Sequence, residues 1–219
     1  GGKLELGRAS GEVVQVSWRM RERDLLLRLM RAINRLRGTL QKMAGQHLGT
    51  LIPGYTHGQQ AQVLTLAHIF LAWDGALSRS FDRASETLKR VNWSAAGTGN
   101  MAGCDFAIDR HKVADLLGFA GPVDNTYDAI QHNDHALECF SVLSILDSFL
   151  SRWAQDLYFY MTPEVGMMEI PDRYCGTSAL MAQKKNPMLV EFLQGASSLP
   201  IGHMVTAFLV EKTPSGGAI

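Results

Sequence analysis

From Glu12 to Leu48 the chain runs for 37 residues without a proline, and its only glycines there are Gly38 and Gly45. Within this stretch Leu26, Leu29 with Met30, Ile33, Leu36, Leu40 and Met43 with Ala44 return every three or four residues. That interval is the period of an α-helix, so these side chains form one stripe along it. At ~1.5 Å per residue such a helix spans roughly 55 Å, which is very long for a compact monomer. A helix of that length belongs in a bundle, and its stripe asks for neighbours from other chains.

The rest of the chain repeats the theme. Pro53-Gly54 ends the first helix, and a second pattern runs from Leu64 to Arg90 with Leu66, Ile69, Phe70, Trp73, Leu77 and Phe81 on one side. SAAGTGNMAGCDF (94–106) reads as a small-residue loop. Asp109 is placed to cap a short helix to Leu117, closed by Gly118. A third long pattern extends from Tyr127 to Tyr160 through Phe140, Leu143, Leu146, Leu150, Trp153 and Leu157. Asn186 as N-cap and Pro187 at the first helical position open a final helix to Val210. Strand signals are nearly absent. The predicted fold is all-α, a bundle of three or four long helices, with residues 1–219 read as one helical domain. The Gly-Gly opening and the lack of an initiator Met suggest a piece of something longer.

Composition removes several functions. Lys plus Arg and Asp plus Glu number 21 each and no charged block stands out, which disfavours nucleic-acid partners and acidic tails. Charged residues at 19% fall below the usual roughly 25%, as in proteins that hide surface in subunit contacts. Cys104, Cys139 and Cys175 show no CxxC spacing and read as reduced thiols of a cytoplasmic protein. No apolar run is long enough to cross a membrane as a helix.

Chemistry is therefore sought in the joints. PGYTHGQQAQ (53–62), SAAGTGNMAG (94–103) and GTSALMAQKKNP (176–187) each hold unusual polar residues. Taken singly, His57 reads as a structural histidine, and Ser178 as a loop hydroxyl bonding nearby backbone. GTSAL is not a hydrolase elbow, and the 94–103 glycines lack the strand and the GK[ST] of a phosphate loop. His132 and His135, with Glu138 beyond, have helical metal-site spacing but no evident third ligand, so no metal is assigned. Taken together, the last joint sets Ser178 and Lys184 ahead of a helix N-terminus. That reads as a mobile lid bringing a hydroxyl to an anionic substrate.

GTSALMAQKKNP resembles the signature loop of the fumarase/aspartase superfamily, close to GSSxMPxKxNP, and its QKKNP ending resembles the argininosuccinate lyase branch. PGYTHGQQAQ is similar to that branch's PGYTHLQRAQP, and NWSAAGTGNMAG (92–103) to NxSPLGAGALAG. Phe106–Arg110 fits FxIDR, the NTYDA stretch (125–129) also fits, and GRASGEVV (7–14) looks like an altered GRSRNDQV. THGQ echoes adenylosuccinate lyase locally.

The resemblance implies a homotetramer whose active sites draw joints from three subunits, and β-elimination of a C–N bond with release of fumarate. By the same resemblance Ser178 is the base on the Cβ proton, His57 supports acid chemistry or binds substrate, and Glu191 pairs with that histidine. Lys184 and Asn186 would bind substrate carboxylates, with Thr56, Gln183 and Ser10 as further contacts. A small anionic N-substituted aspartate is the implied ligand, without metal or organic cofactor. Such chemistry needs cationic and N–H groups that hold the charge developing on the carboxylate beside the broken C–H bond.

Departures cluster. The Arg-Asn pair of GRSRNDQV is Ser10-Gly11, Glu12 replaces the aspartate, and a DRD triplet reads His132-Asn133-Asp134. The second serine of GSS is Ala179, and the arginine of THLQR is Gln60. The elimination residues are kept while positions implied to hold the guanidino half of argininosuccinate are changed. The expected substrate is therefore another N-substituted aspartate. Argininosuccinate itself, adenylosuccinate-like activity, and a helical scaffold that has lost catalysis are the alternatives.

Overall fold

The computed structural model describes residues 2–214 and is dominated by helices. α1 (Ser10–Gln46), α2 (Leu66–Val91) and α5 (Asp134–Tyr160) are long; α3 (Arg110–Leu116), α4 (Asp128–Gln131), α6 (Met188–Ala196) and α7 (Leu199–Val210) are short. The chain separates into two compact units, one of residues 1–32, 81–140 and 205–219, the other of residues 33–80 and 141–204.

The α1 stripe falls where its period places it. Glu12, Gln15, Arg19, Leu26, Ile33, Leu40 and Ala44 are buried, polar in the first turns and apolar later. In the unit of residues 33–80 and 141–204 the core is aromatic. Phe70 contacts Trp73 at 5.8 Å, Trp73 meets Trp153 edge-on at 5.8 Å, and Phe149 stacks on Trp153 at 6.5 Å. Ring contacts of this kind contribute beyond their buried area. In the other unit small residues pack closely: Ala84, Thr87, Val91, Ser94, Ala95, Thr98 and Ala114 are almost wholly enclosed. Arg23 on α1 ties the close of α3, donating to the carbonyls of Leu117 and Gly118 and lying 4.6 Å over the Phe119 ring. α3 itself is capped as its sequence predicts, the Asp109 carboxylate accepting from the Lys112 N–H at 3.0 Å. Gly118 closes it at φ +71°.

Four boundaries differ from expectation. The 53–62 joint is not a loop: β1 (Leu51–Thr56) and β2 (Gln59–Thr65) form an antiparallel hairpin, with a bulge between Pro53 and Tyr55. Pro53 has no N–H to give a ladder, and an edge hairpin with a bulge tolerates it. The pattern from Tyr127 to Tyr160 is interrupted at His132-Asn133, where His132 turns to extended backbone (φ −116°, ψ 128°). The last helix breaks at Ser197-Ser198, because Pro200 offers no N–H to continue it. Asn186 does not cap α6. It lies in β4 (Lys185–Asn186), paired with β3 (Gly176–Thr177), and Pro187 takes the cap position with no side-chain hydrogen bond.

Candidate active site

The hairpin presents Thr56 and His57 at its tip. Thr56 pairs with Gln59, so His57-Gly58 is a two-residue turn, and both have positive φ, 54° and 70°. Two left-handed residues make the turn whose twist suits a hairpin. The strand beneath is anchored by Tyr55, packed edge-on against Phe159 at 4.8 Å. His57 and Thr56 are both exposed.

The 176–187 joint is a second, smaller hairpin in the same unit. A Cβ at Gly176 would lie 2.0 Å from Met188 Sδ, so the methionine side chain would have to move to admit one. Lys185 fastens the returning strand, its Nζ 2.6 Å from Asp172 and 3.3 Å from Glu169. The Asp172 hydrogen bond pushes the Lys185 ammonium pKa upward, with Glu169 adding to it. Lys184 carries no such pair among the described residues. With Gln183 and Asn186 it lines a cavity of about 570 Å³, whose other walls include Tyr158, Met161 and Met168. Across the tip, Ser178 Oγ accepts from the backbone N–H groups of Leu180 and Met181 at 3.3 and 3.1 Å. Glu191 sits exposed in the first turn of α6.

Thus three of the sequence candidates, Gln183, Lys184 and Asn186, share one cavity wall. Ser178, Thr56, His57 and Glu191 belong to the same unit but do not line that cavity. Ser10 lies in the other unit, at the start of α1.

Around Ser10 the 94–103 loop is clamped onto α1. The buried Glu12 carboxylate accepts from Thr98 Oγ1 at 3.2 Å and from the Gly99 N–H at 2.7 Å. Arg110 holds the loop's far side through the carbonyls of Ala96 and Val123. One residue here has no counterpart among the sequence candidates. Asn100, at φ +73°, projects its carboxamide over Gly11, where a Cβ would lie 2.0 Å from Asn100 Oδ1. Asn100 stands where the resembling pattern has alanine, and Gly11 where it has asparagine. The two departures are therefore paired in space: the Asn100 carboxamide occupies room that a side chain at position 11 would need. A sequence signal existed, because both departures exchange the same chemical group.

The histidines with metal-like spacing have other partners. His132 Nδ1 is 2.6 Å from Asp128, and the buried His135 sets Nδ1 2.6 Å from Glu22 and Nε2 3.4 Å from Gln15.

A family model described as lyase matches residues 1–202. The argininosuccinate lyase of Methanospirillum hungatei JF-1 is 38% identical over 212 residues, 97% of this chain and 43% of that protein. That of Anoxybacillus flavithermus is 38% identical over 97% of this chain and 46% of its own length. The chain thus spans less than half the length of these curated relatives. Among solved structures, an EDDS lyase variant with bound fumarate superposes with a TM-score of 0.90 at 33% identity, over 93% of this chain and 41% of that one. A class II fumarase from Schistosoma mansoni, 18% identical over 94% of this chain and 48% of its own, shares the fold with a TM-score of 0.81.

Proposed function

The chain belongs to this lyase family, and on that footing we propose that its protein is a carbon–nitrogen lyase releasing fumarate from an N-substituted aspartate. The observation that carries the reading is the cavity wall holding Lys184, Gln183 and Asn186, an ammonium with no ion pair among the described residues and two carboxamides beside it. Such a wall suits a dicarboxylate, and the EDDS lyase variant to which the chain is similar holds fumarate.

In this reading Ser178, as alkoxide, takes the Cβ proton. The electron pair moves onto the neighbouring carboxylate, where Lys184 and Asn186 hold the added charge. Its return forms the C=C bond and breaks the C–N bond, and the leaving amine takes a proton supplied through His57 with Glu191 as its partner. Thr56, Gln183 and Ser10 orient the substrate. The changes at Ser10, Gly11 and Asn133 favour a leaving group other than that of argininosuccinate.

Assembly into a homotetramer completes the proposal. α7 buries none of its residues, and Leu199, Val205, Phe208 and Leu209 are exposed along it. An apolar helix left so open suits a subunit contact. A cytoplasmic setting is consistent with three free cysteines.

A panel of N-substituted aspartates offered to the complete protein, with fumarate appearance as readout, tests the activity. Fumarate from none of them, argininosuccinate included, sinks it. The scaffold alternative draws on Ser178, whose oxygen serves a local turn. Saturating fumarate separates the two, since a ligand bound only by the folded state raises the melting temperature.

A further inference from the structure

The cavity that holds Lys184, Gln183 and Asn186 has more wall than a dicarboxylate uses. At about 570 Å³ it falls within the roughly 300–1,000 Å³ of small-ligand sites, far more than four carbons fill. Most of the remaining lining is apolar or aromatic: Tyr158, Met161, Pro163, Met168, Ile170 and Met181.

The three methionines reach this cavity from different places. Met161 follows the end of α5, Met168 lies in the loop beyond it, and Met181 belongs to the turn between β3 and β4. A tight turn fixes Met168. Gly166, at φ +58°, donates its N–H to the Thr162 carbonyl at 2.7 Å. The N–H groups of Met167 and Met168 then reach back to the Tyr160 carbonyl at 3.0 and 3.1 Å. Met161, Met168 and Ile170 are half-buried, so their side chains are neither sealed in the core nor spread in solvent.

The charges of the lining disfavour a cation. Lys184 and Lys185 both border the cavity. Glu169, the one carboxylate among the described lining residues, lies 3.3 Å from the Lys185 ammonium. The Thr162 hydroxyl is spent on the Phe159 carbonyl at 2.9 Å. A substituent ending in ammonium or guanidinium would therefore be desolvated beside like charge, without a free acid to pair with. An apolar substituent meets flexible thioethers, which adapt to its shape and favour the edge of an aromatic ring.

We infer that the amine leaving this site carries an apolar substituent, an aromatic ring best of all, lying on Met161, Met168 and Met181. The inference rests on the proposed carbon–nitrogen lyase reading and adds the class of its leaving group. The step needs no further reactant. The electron pair of the Cβ–H bond ends in the C=C bond of fumarate, and that of the C–N bond leaves with nitrogen, which takes a proton to become a primary amine.

Steady-state fumarate release by the complete protein tests it, with N-benzyl-L-aspartate, argininosuccinate, and N-aminohexyl-L-aspartate, which is similar in size to the benzyl compound but ends in an ammonium. The kcat/KM of the benzyl compound should exceed both others by at least about tenfold, since enclosing the ring is favourable and enclosing an unpaired cation is not. Met168→Gln keeps the side-chain length and adds a polar end, so it should shrink that ratio by about threefold or more. Should that variant not fold, Met181→Gln, on the exposed rim, should shrink it in the same sense. Equal or better use of either cationic substrate, or a ratio unchanged in the folded variants, would overturn the inference and leave the lyase reading standing. Fumarate from none of the three, nor from any other N-substituted aspartate, would overturn both.

Discussion

His57 and Gly58 occupy the two corners of one tight turn, and both are held in left-handed backbone, at φ 54° and 70°. The candidate catalytic histidine therefore sits in a conformation that costs a β-carbon-bearing residue roughly 1–2 kcal/mol. A side chain kept under that strain, exposed at a hairpin tip, is aimed rather than packed.

This permits a substitution that separates shape from chemistry. Asparagine is among the residues that enter left-handed backbone most readily. His57→Asn should leave the melting temperature near that of the parent while lowering fumarate release by about 10²–10⁴-fold, the usual worth of a general acid or base. His57→Val should lose stability as well. Paired thermal and kinetic measurements decide, and an active His57→Asn enzyme would remove His57 from the mechanism.

Gly11 and Asn100 should behave as one site. Gly11→Asn drives its new side chain into the Asn100 carboxamide, since even a Cβ there lies 2.0 Å from Asn100 Oδ1. Asn100→Gly both empties that space and relieves a positive φ of 73°. A double-mutant cycle by urea unfolding should therefore show coupling of about 0.5–3 kcal/mol, with the double variant more stable than Gly11→Asn alone. Additive effects would mean that the two positions do not share space.

The glycines of the 94–103 loop are not equivalent. At Gly99, φ +57°, an added Cβ lies 2.1 Å from the Gly103 carbonyl oxygen, which is backbone. At Gly97, φ +76°, it lies 2.9 Å from Arg110 Cγ, part of a side chain that can move. Gly99→Ala should cost clearly more than Gly97→Ala in chemical unfolding. Glu12→Ala should be destabilising too, leaving the donors of Thr98 and Gly99 without an acceptor at about 1–3 kcal/mol each.

These cases show what was legible in the sequence. α1 could be read because one stripe of side chains recurs at helical period along its whole length. The Asp109 cap and the Gly118 stop could be read because each is a local device. The hairpin at 51–65 could not, because β2 lies on the surface with Gln59, Gln60, Ala61 and Gln62 all exposed. A strand covered on neither face has no alternation to show. The break at His132-Asn133 was hidden because the apolar pattern passes over it without glycine or proline. Of the candidate site, the residue types were visible, yet the exchange between Gly11 and Asn100 required contacts between residues 89 positions apart, which only the fold supplies.

Acid should weaken the α2–α5 link. Arg90 Nε donates to Glu138 Oε2 at 2.7 Å, and this hydrogen bond holds the Glu138 carboxyl below its ordinary value of 4.5. A depressed carboxylate pKa contributes stability at neutral pH. The contribution fades as pH falls from 4.5 through the lower folded value. Arg90 is largely in solvent, so the effect is small. Urea midpoints between about pH 5 and 3 should fall less steeply for Glu138→Gln than for the parent. Equal slopes would show that the pair contributes nothing.

Ser178 offers the sharpest test of the proposed chemistry. Its oxygen accepts two backbone N–H bonds, from Leu180 and Met181. Donors aimed at an oxygen favour its anion over its neutral form, so the same turn that anchors the loop also eases loss of the hydroxyl proton. Ser178→Ala removes the base and keeps a short side chain in the hairpin. Fumarate release should fall by about 10³-fold or more, while fumarate still protects the fold against heat. Ser178→Thr, which retains a hydroxyl at the same branch point, should recover part of the rate. A deuterium label at the substrate Cβ adds a second readout, since a rate limited by proton removal slows on labelling. If Ser178→Ala stays within tenfold of the parent and keeps the isotope effect, another group takes the proton, and Ser178 is only a turn residue.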